Sequence, residues 1–232
     1  MAIKLLHYIY LVFRHPYAVI KALICRVRSF FYSRYVDQGN GKIILTDPYL
    51  SVKIRKSDGA RIILNGDLRI IPHVGGTSPV RIFFGQNSTL KIDGDLVIGQ
   101  GVRLHINDNA YLYFGGKKFE SDSGITADTL ILVFKKVTIG YDFICAWNVF
   151  ISDSDWHQIG NKDHHADVTI GDHVWIANNC SILKGASIGS NSIVASHSKI
   201  TKREYPVNSM LAGAPAKIVD SDIKWSRDLQ SI

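Results

Sequence analysis

A chain of 232 residues with 46% hydrophobic and 20% charged side chains has room for one large domain or a domain with an appendage, and its composition is that of an ordinary globular protein. The formal net charge of +7 favours anionic partners, and with no nucleic-acid-binding module readable these are a membrane surface or a phosphate-rich cofactor. Three cysteines, Cys25, Cys145 and Cys180, show neither metal spacing nor an even-numbered disulfide framework, which fits a reducing cytosolic setting.

Residues 1–36 read as one or two helices unlike the rest of the chain. Lys4, Arg14, Lys21, Arg26, Arg28 and Arg34 occur there with no acidic residue, interleaved with Leu5, Ile9, Val19, Leu23 and Phe30. The apolar run from Leu5 to Phe13 is too short to span a bilayer, ends at Arg14-His15-Pro16, and has no convincing signal-peptide cleavage site. Two readings stand. The segment is either a basic amphipathic element in peripheral contact with an anionic membrane, at the inner face of the cell membrane, or a helical hairpin packed on the neighbouring domain with its cations solvated.

From Gly41 to about Gly116 short β-prone pieces alternate with Gly, Asn and Asp, and Ile92, Ile98, Leu104 and Ala110 fall six apart. The phase slips near Pro72-His73-Val74-Gly75-Gly76, where a loop or bulge is expected. After a less regular patch at 117–129 the phase returns at Ile139, Cys145 and Ile151. It breaks again over residues 152–167, a polar stretch without the aliphatic slot. From Ile170 it runs unbroken through Ile176, Ile182, Ile188, Val194 and Ile200. Neither a 3.6-residue helix nor a two-residue alternation holds one aliphatic position every six residues. A solenoid of short flat strands does, with Gly or Ala marking the corners. The predicted organisation is a helical segment at 1–36, a mainly β solenoid at 37–220 with an excursion at 152–167, and a short C-terminal helix at 221–232 with Ser221 as N-cap.

The excursion opens with an Asp-x-Asp-x-His pattern at Asp153, Asp155 and His157. On an extended segment alternate residues share one face, so two carboxylates and an imidazole would point the same way. A neutral imidazole can take a proton from a hydroxyl at neutral pH, and a carboxylate on its other nitrogen fixes the tautomer. The pattern leaves open which Asp does this. His164 and His165 lie further along the same loop, and Cys145 and Cys180 occupy repeat positions, so neither offers itself as a nucleophile.

The run VTIGDHVWIANNCSILKGASIGSNSIVASHSKITK, followed by MLAGAPAKIV, resembles the core of the hexapeptide-repeat acyltransferases over roughly residues 137–219. It is most like the branch that acetylates sugar hydroxyls, which includes maltose and galactoside acetyltransferases and enzymes that decorate capsule and O-antigen. The resemblance implies a left-handed parallel β-helix, a homotrimer with active sites between subunits, and acetyl-CoA as donor. It implies His157 as general base, with Asp155 or Asp153 orienting it. Trp175 would pack beside the site and the Asn178 N–H would face the thioester oxygen, with Ala177 standing where Gly is usual. Main-chain groups of Ala195 and Ser196 would hold the pantetheine arm, although Ser196-His197-Ser198 departs from the family's smaller residues. Thr201 and Lys202 would approach the nucleotide, and Lys217 its 3′-phosphate. A zinc branch of the fold uses a histidine pair five apart, and none of the 9 histidines has that spacing, so no metal is expected. The leading expectation is O-acetylation of a sugar or polysaccharide. N-acetylation of an amino-sugar nucleotide and a non-catalytic trimeric scaffold at the membrane are the rivals.

Overall fold

The structure, a computed structural model, describes residues 14–74, 78–117 and 123–228. Between inward aliphatics six apart there is room only for a short strand and a corner, and the chain forms strands of two to six residues. They pair in parallel in three sheets. Nine strands from Ile43–Leu45 to Ala216–Ser221 make the first face, seven from Val52–Lys56 to Lys199–Ile200 the second, and seven from Arg61–Leu64 to Arg203–Tyr205 the third. Each strand is followed by one on the next face until Ala216–Ser221, which turns back antiparallel on Ser209–Gly213. This is the parallel β-helix that the hexad spacing predicts.

The core is three ladders of side chains. On the first face Leu45, Ile70, Ile98, Ile125, Cys145, Ile176, Val194 and Leu211 stack in register, each at most 2% exposed. Ile82, Leu104, Ile131, Ile151, Ile182 and Ile200 do the same on the second face, and Ile92, Phe114, Ile139, Ile170 and Ile188 on the third. Burying each aliphatic side chain contributes roughly 1.5–3 kcal/mol. Corners are tight. A Cβ on Gly171 would lie 2.6 Å from the Ser190 nitrogen, and one on Gly189 2.5 Å from that of Val207. Asn87, Asn109, Asn179, Asn191 and Asn208 take the left-handed conformation at these turns, which Asn tolerates better than most residues. Aspartates brace the corners by accepting a backbone N–H from the preceding coil: Asp67 from Lys42, Asp108 from Gln86 and Asp172 from Tyr141.

Among the described residues no strand precedes the first coil to satisfy its edge. A helix, α1 (Pro16–Ser33), packs there on Ile43–Leu45. Ser33 Oγ accepts the Ile43 N–H at 3.0 Å and Ser29 Oγ the Leu45 N–H at 2.9 Å. Arg28 donates to the carbonyls of Pro48 and Leu50, and the Tyr32 hydroxyl to that of Val52. The apolar run predicted at residues 5–13 lies outside the described residues.

Within the less regular patch at 117–129, Ser123–Ala127 is a first-face strand with Ile125 in the inward slot. Around the predicted slip, residues 72–74 lie outside the strands Leu68–Ile71 and Val80–Phe84. The predicted C-terminal helix is absent among the described residues. Ser221 ends a strand instead of capping a helix, and residues 222–228 run as irregular backbone. Trp225 stacks on His173, centroids 3.9 Å apart, and Arg227 pairs with Asp142, contacts that hold the tail against the solenoid in place of a helix. His173 is sandwiched between Asp142 and this tail.

Ile98→Ala should lower unfolding free energy by about 2–5 kcal/mol, since a ladder rung cannot collapse into the space it leaves. Val219→Ala, at an exposed position, should stay within about 0.5 kcal/mol in the same denaturant titration.

Candidate active site

The candidate residues fall on two edges of the second face. One is the corner where the second face passes to the third, where the chain leaves the coil after Phe150–Ser152 and returns at Val168–Ile170. The excursion is a narrow hairpin rather than an open loop, with antiparallel bridges between Ser154 and His165 and between Ile159 and Lys162. The Asp155 N–H donates to the His164 carbonyl at 2.7 Å, and the Ala166 N–H to that of Asp153 at 2.9 Å.

Within it, Asp153, Asp155 and His157 do not share a face. Trp156 has φ +63°, so the backbone is not extended there and the alternation fails. Asp153 is fully buried, and its carboxylate accepts the N–H groups of Phe134, Lys135 and Lys136, each at 2.7 Å. It belongs with the corner-bracing aspartates and does not reach His157. Asp155 pairs with Lys184, whose Nζ also donates to the Asp163 carbonyl at 2.6 Å. His157 is exposed on the outgoing limb, and among the described residues nothing hydrogen-bonds to its ring.

An aromatic floor that the sequence did not reveal holds the hairpin down. Phe134, at the same corner one coil earlier, packs against His164 (4.8 Å), His165 (5.2 Å) and Trp156 (6.0 Å). The Trp156 indole donates to Ser152 Oγ at 3.0 Å and leans on His105 at 6.2 Å. His165 Nδ1 is buried with no partner. Lys184 and Phe134 occupy hexad corners, where a spacing argument sees only the turn.

The other edge is the corner between the first and second faces. Asn178 and Ser196 stack there on successive coils: Ser196 Oγ donates to Asn178 Oδ1 at 2.7 Å. Ala177 and Ala195 precede them in register, their N–H groups donating to Val194 and Leu211 carbonyls at 2.9 Å. The Asn178 N–H has no acceptor among the described residues, and Asn179 and His197 are joined above it at 3.4 Å. The hairpin turn at Gly213–Ala216 reaches the same edge, with Lys217 exposed on its return strand. Trp175 is 39% exposed on the adjoining first face, and Trp147, one coil before Asn178, is 46% exposed. Thr201 and Lys202 are not here. They turn the corner between the second and third faces, Lys202 lying against Gly185, beside the excursion.

Neither edge offers a nucleophilic sulfur. Burial pushes the Cys145 thiol up to about 12 and that of Cys180 upward too.

The fold is thus a three-faced parallel β-helix with a polar excursion at one corner and an open N–H and exposed indoles at another. Residues 167–202 match the family described as bacterial transferase hexapeptide (six repeats). A polysialic acid O-acetyltransferase from Neisseria meningitidis is 35% identical over 151 residues, covering 62% of this chain and 68% of that protein. A galactoside O-acetyltransferase from Lactococcus lactis subsp. lactis is 31% identical over 159 residues, covering 61% and 76%. The crystal structure of the polySia-specific acetyltransferase NeuO matches with a TM-score of 0.51 at 22% identity, over 85% of this chain and 92% of that one. The chain belongs to the hexapeptide-repeat acyltransferases, as a left-handed parallel β-helix enzyme of their O-acetyltransferase branch.

Asp153→Asn should lower stability by about 1–3 kcal/mol, because an amide nitrogen would face backbone donors. Turnover per folded molecule should stay near wild type. A large fall in kcat at unchanged unfolding midpoint would return Asp153 to the catalytic set. Separately, a maleimide or disulfide reagent should label Cys145 at pH 8 only after unfolding. The folded thiol holds its proton more tightly than the unfolded one. Its contribution to stability is therefore complete below pH 9.0 and is lost as pH climbs toward about 12.

Proposed function

We propose that the protein transfers an acetyl group from acetyl-CoA to a hydroxyl of a sugar or polysaccharide, in active sites shared between subunits of a homotrimer. The observation that carries this reading is the separation of the two edges. His157 stands at one corner of the second face and the Asn178 N–H at the other, a full strand-and-corner apart, up to about 20 Å at the extended rise per residue. Among the described residues no hydrogen bond or ring contact joins His157 to the Asn178 edge within one chain. Two neighbouring chains would bring them together, if the excursion of one lies against the first-to-second corner of the next.

In such a groove the acceptor hydroxyl loses its proton to His157 as its oxygen attacks the thioester carbonyl carbon. The Asn178 N–H donates to the oxyanion that forms. Collapse breaks the carbon–sulfur bond, the coenzyme A thiolate takes the proton from the imidazolium, and an acetyl ester leaves with the acceptor. Main-chain groups at Ala177, Ala195 and Ser196 line the way for the pantetheine arm, with Trp175 as wall. Lys217 supplies positive charge on the same edge for the nucleotide phosphates, and on the opposite edge Lys202 supplies positive charge and Thr201 a neutral hydroxyl. Asp155 serves the hairpin through Lys184, so its effect on His157 is one of positioning. The acceptor class rests on the polysaccharide and sugar acetyltransferases among the relatives.

His157→Ala should lower kcat by on the order of 10²–10⁴ with little change in acetyl-CoA affinity. A mixed-subunit experiment tests the shared site. His157→Ala subunits co-refolded with Ser196→Arg subunits, each inactive alone, should recover roughly a quarter of wild-type activity, because a quarter of the interfaces combine two intact halves. No recovery in mixed trimers would place the whole site in one chain. A sedimentation mass of a fully active monomer would remove the trimer itself.

A further inference from the structure

The amphipathic order of α1 is inverted. A helix packed on a globular domain ordinarily turns its apolar stripe inward. Here the inward contacts are made by Ser29, Ser33, Arg28 and Tyr32, with Lys21 paired to Asp47 at 2.7 Å, and the buried side chain is Cys25. The outward side carries Ile20, Leu23, Ile24, Val27, Phe30 and Phe31, each 42–65% exposed. Their three- and four-residue spacing puts them on one continuous stripe. Tyr17 and Tyr49, 65% and 75% exposed, meet through their hydroxyls at one end of it. A cleft of about 740 Å³ between α1 and the first strand opens beside this stripe, with Lys21, Arg26 and Lys42 in its walls.

Charge chooses among the possible occupants. Residues 1–36 contain six Lys and Arg and no acid; Asp47, outside that run, pairs with Lys21, so the cleft cations left to meet a partner are Arg26 and Lys42. A second copy meeting the first face to face through α1 would set like charges against each other. An anionic lipid surface would neutralise them and bury the stripe. No described helix is long and apolar enough to cross a membrane, so the contact is with the surface. Aliphatic and aromatic side chains at its centre and tyrosines at its margin suit the boundary between acyl chains and headgroups. We propose that α1 is a membrane-docking element, which seats the first coil of the solenoid on an anionic bilayer surface by its outward apolar stripe and the cations of the adjoining cleft.

The test is flotation of the full-length protein with phosphatidylcholine vesicles, with and without phosphatidylglycerol. Binding to the anionic vesicles should exceed that to neutral ones by on the order of tenfold or more, and should fall with salt. The triple variant L23S/V27S/F30S should lose at least about tenfold in binding to anionic vesicles, while keeping the wild-type sedimentation mass and its turnover of a soluble acceptor. Phe31→Trp serves as a second probe, since its emission should shift to the blue on anionic vesicles alone, whether or not the triple variant folds. Wild-type protein that stays with the solvent beside anionic vesicles overturns the proposal. So does a triple variant that binds them unchanged, or whose only defect is a smaller assembly, which would make the stripe an interface between copies.

Discussion

Everything in this fold follows from stacking one coil on the next with backbone hydrogen bonds in parallel register. Once the register is set, a residue at a given corner lies directly above its counterpart in the coil before, at the spacing of adjacent strands, about 4.8 Å. Three consequences are forced. Inward positions must be apolar, and most are aliphatic, giving the Leu45-to-Leu211 ladder with Cys145 among its rungs. Corners must be small or left-handed, giving Gly171, Gly189 and the Asn turns. Corner N–H groups without a strand partner must find another acceptor, giving the series of aspartates that includes Asp153.

The same constraint leaves little of the chain free to hold chemistry. A side chain inside the ladder cannot touch a ligand, and the corners repeat with little latitude. The insertion at one corner is therefore where a movable acid–base group can stand, and the flat edges of the corners are where an extended cofactor can lie against main-chain donors. A short hairpin on its own would be poorly ordered. Phe134 beneath Trp156, His164 and His165, and Lys184 bridging Asp155 to the Asp163 carbonyl, hold it in place. Its order depends on packing against rigid coils and not on the hairpin's own turn chemistry.

Periodicity made the solenoid legible because a six-residue rhythm has so few physical explanations. Ile139, Cys145, Ile151 and the six positions from Ile170 to Ile200 all lie in the interior, as spacing alone requires. The candidate site was legible as a region and not as a geometry. The phase break located the excursion, but the shared face expected of Asp153, Asp155 and His157 assumed an extended backbone. That assumption fails at one residue, Trp156, whose positive φ no local pattern announces. Ser196 and Lys202 lie one hexad apart in the unbroken run, so spacing alone puts them at successive corners; it was the resemblance that grouped them along one cofactor path. Asp153 was misplaced for a plainer reason: a carboxylate that braces a corner and one that orients a histidine are the same letter, and only burial and the three N–H donors separate them.

The inverted helix at the N-terminal end has its cause in the same ladder. A solenoid's first strand faces a missing neighbour, and its open N–H and C=O groups would pair with any passing strand unless they are covered. At Ile43 and Leu45 the acceptors are the hydroxyls of Ser33 and Ser29, and at Pro48, Leu50 and Val52 the donors are Arg28 and Tyr32. A helix asked to end a β-ladder must therefore turn its hydrogen-bonding side inward. Leucines and phenylalanines cannot satisfy a strand edge, so they are left on the opposite side. The apolar stripe of α1 is thus compatible with folding rather than a defect of it. Its six large side chains need not have been apolar to cap the coil, because serines and lysines at those outward positions would cap it equally well. That they are Ile, Leu, Val and Phe beside an acid-free run of cations calls for an occupant that lowers the cost of exposing them, and the capping role supplies none.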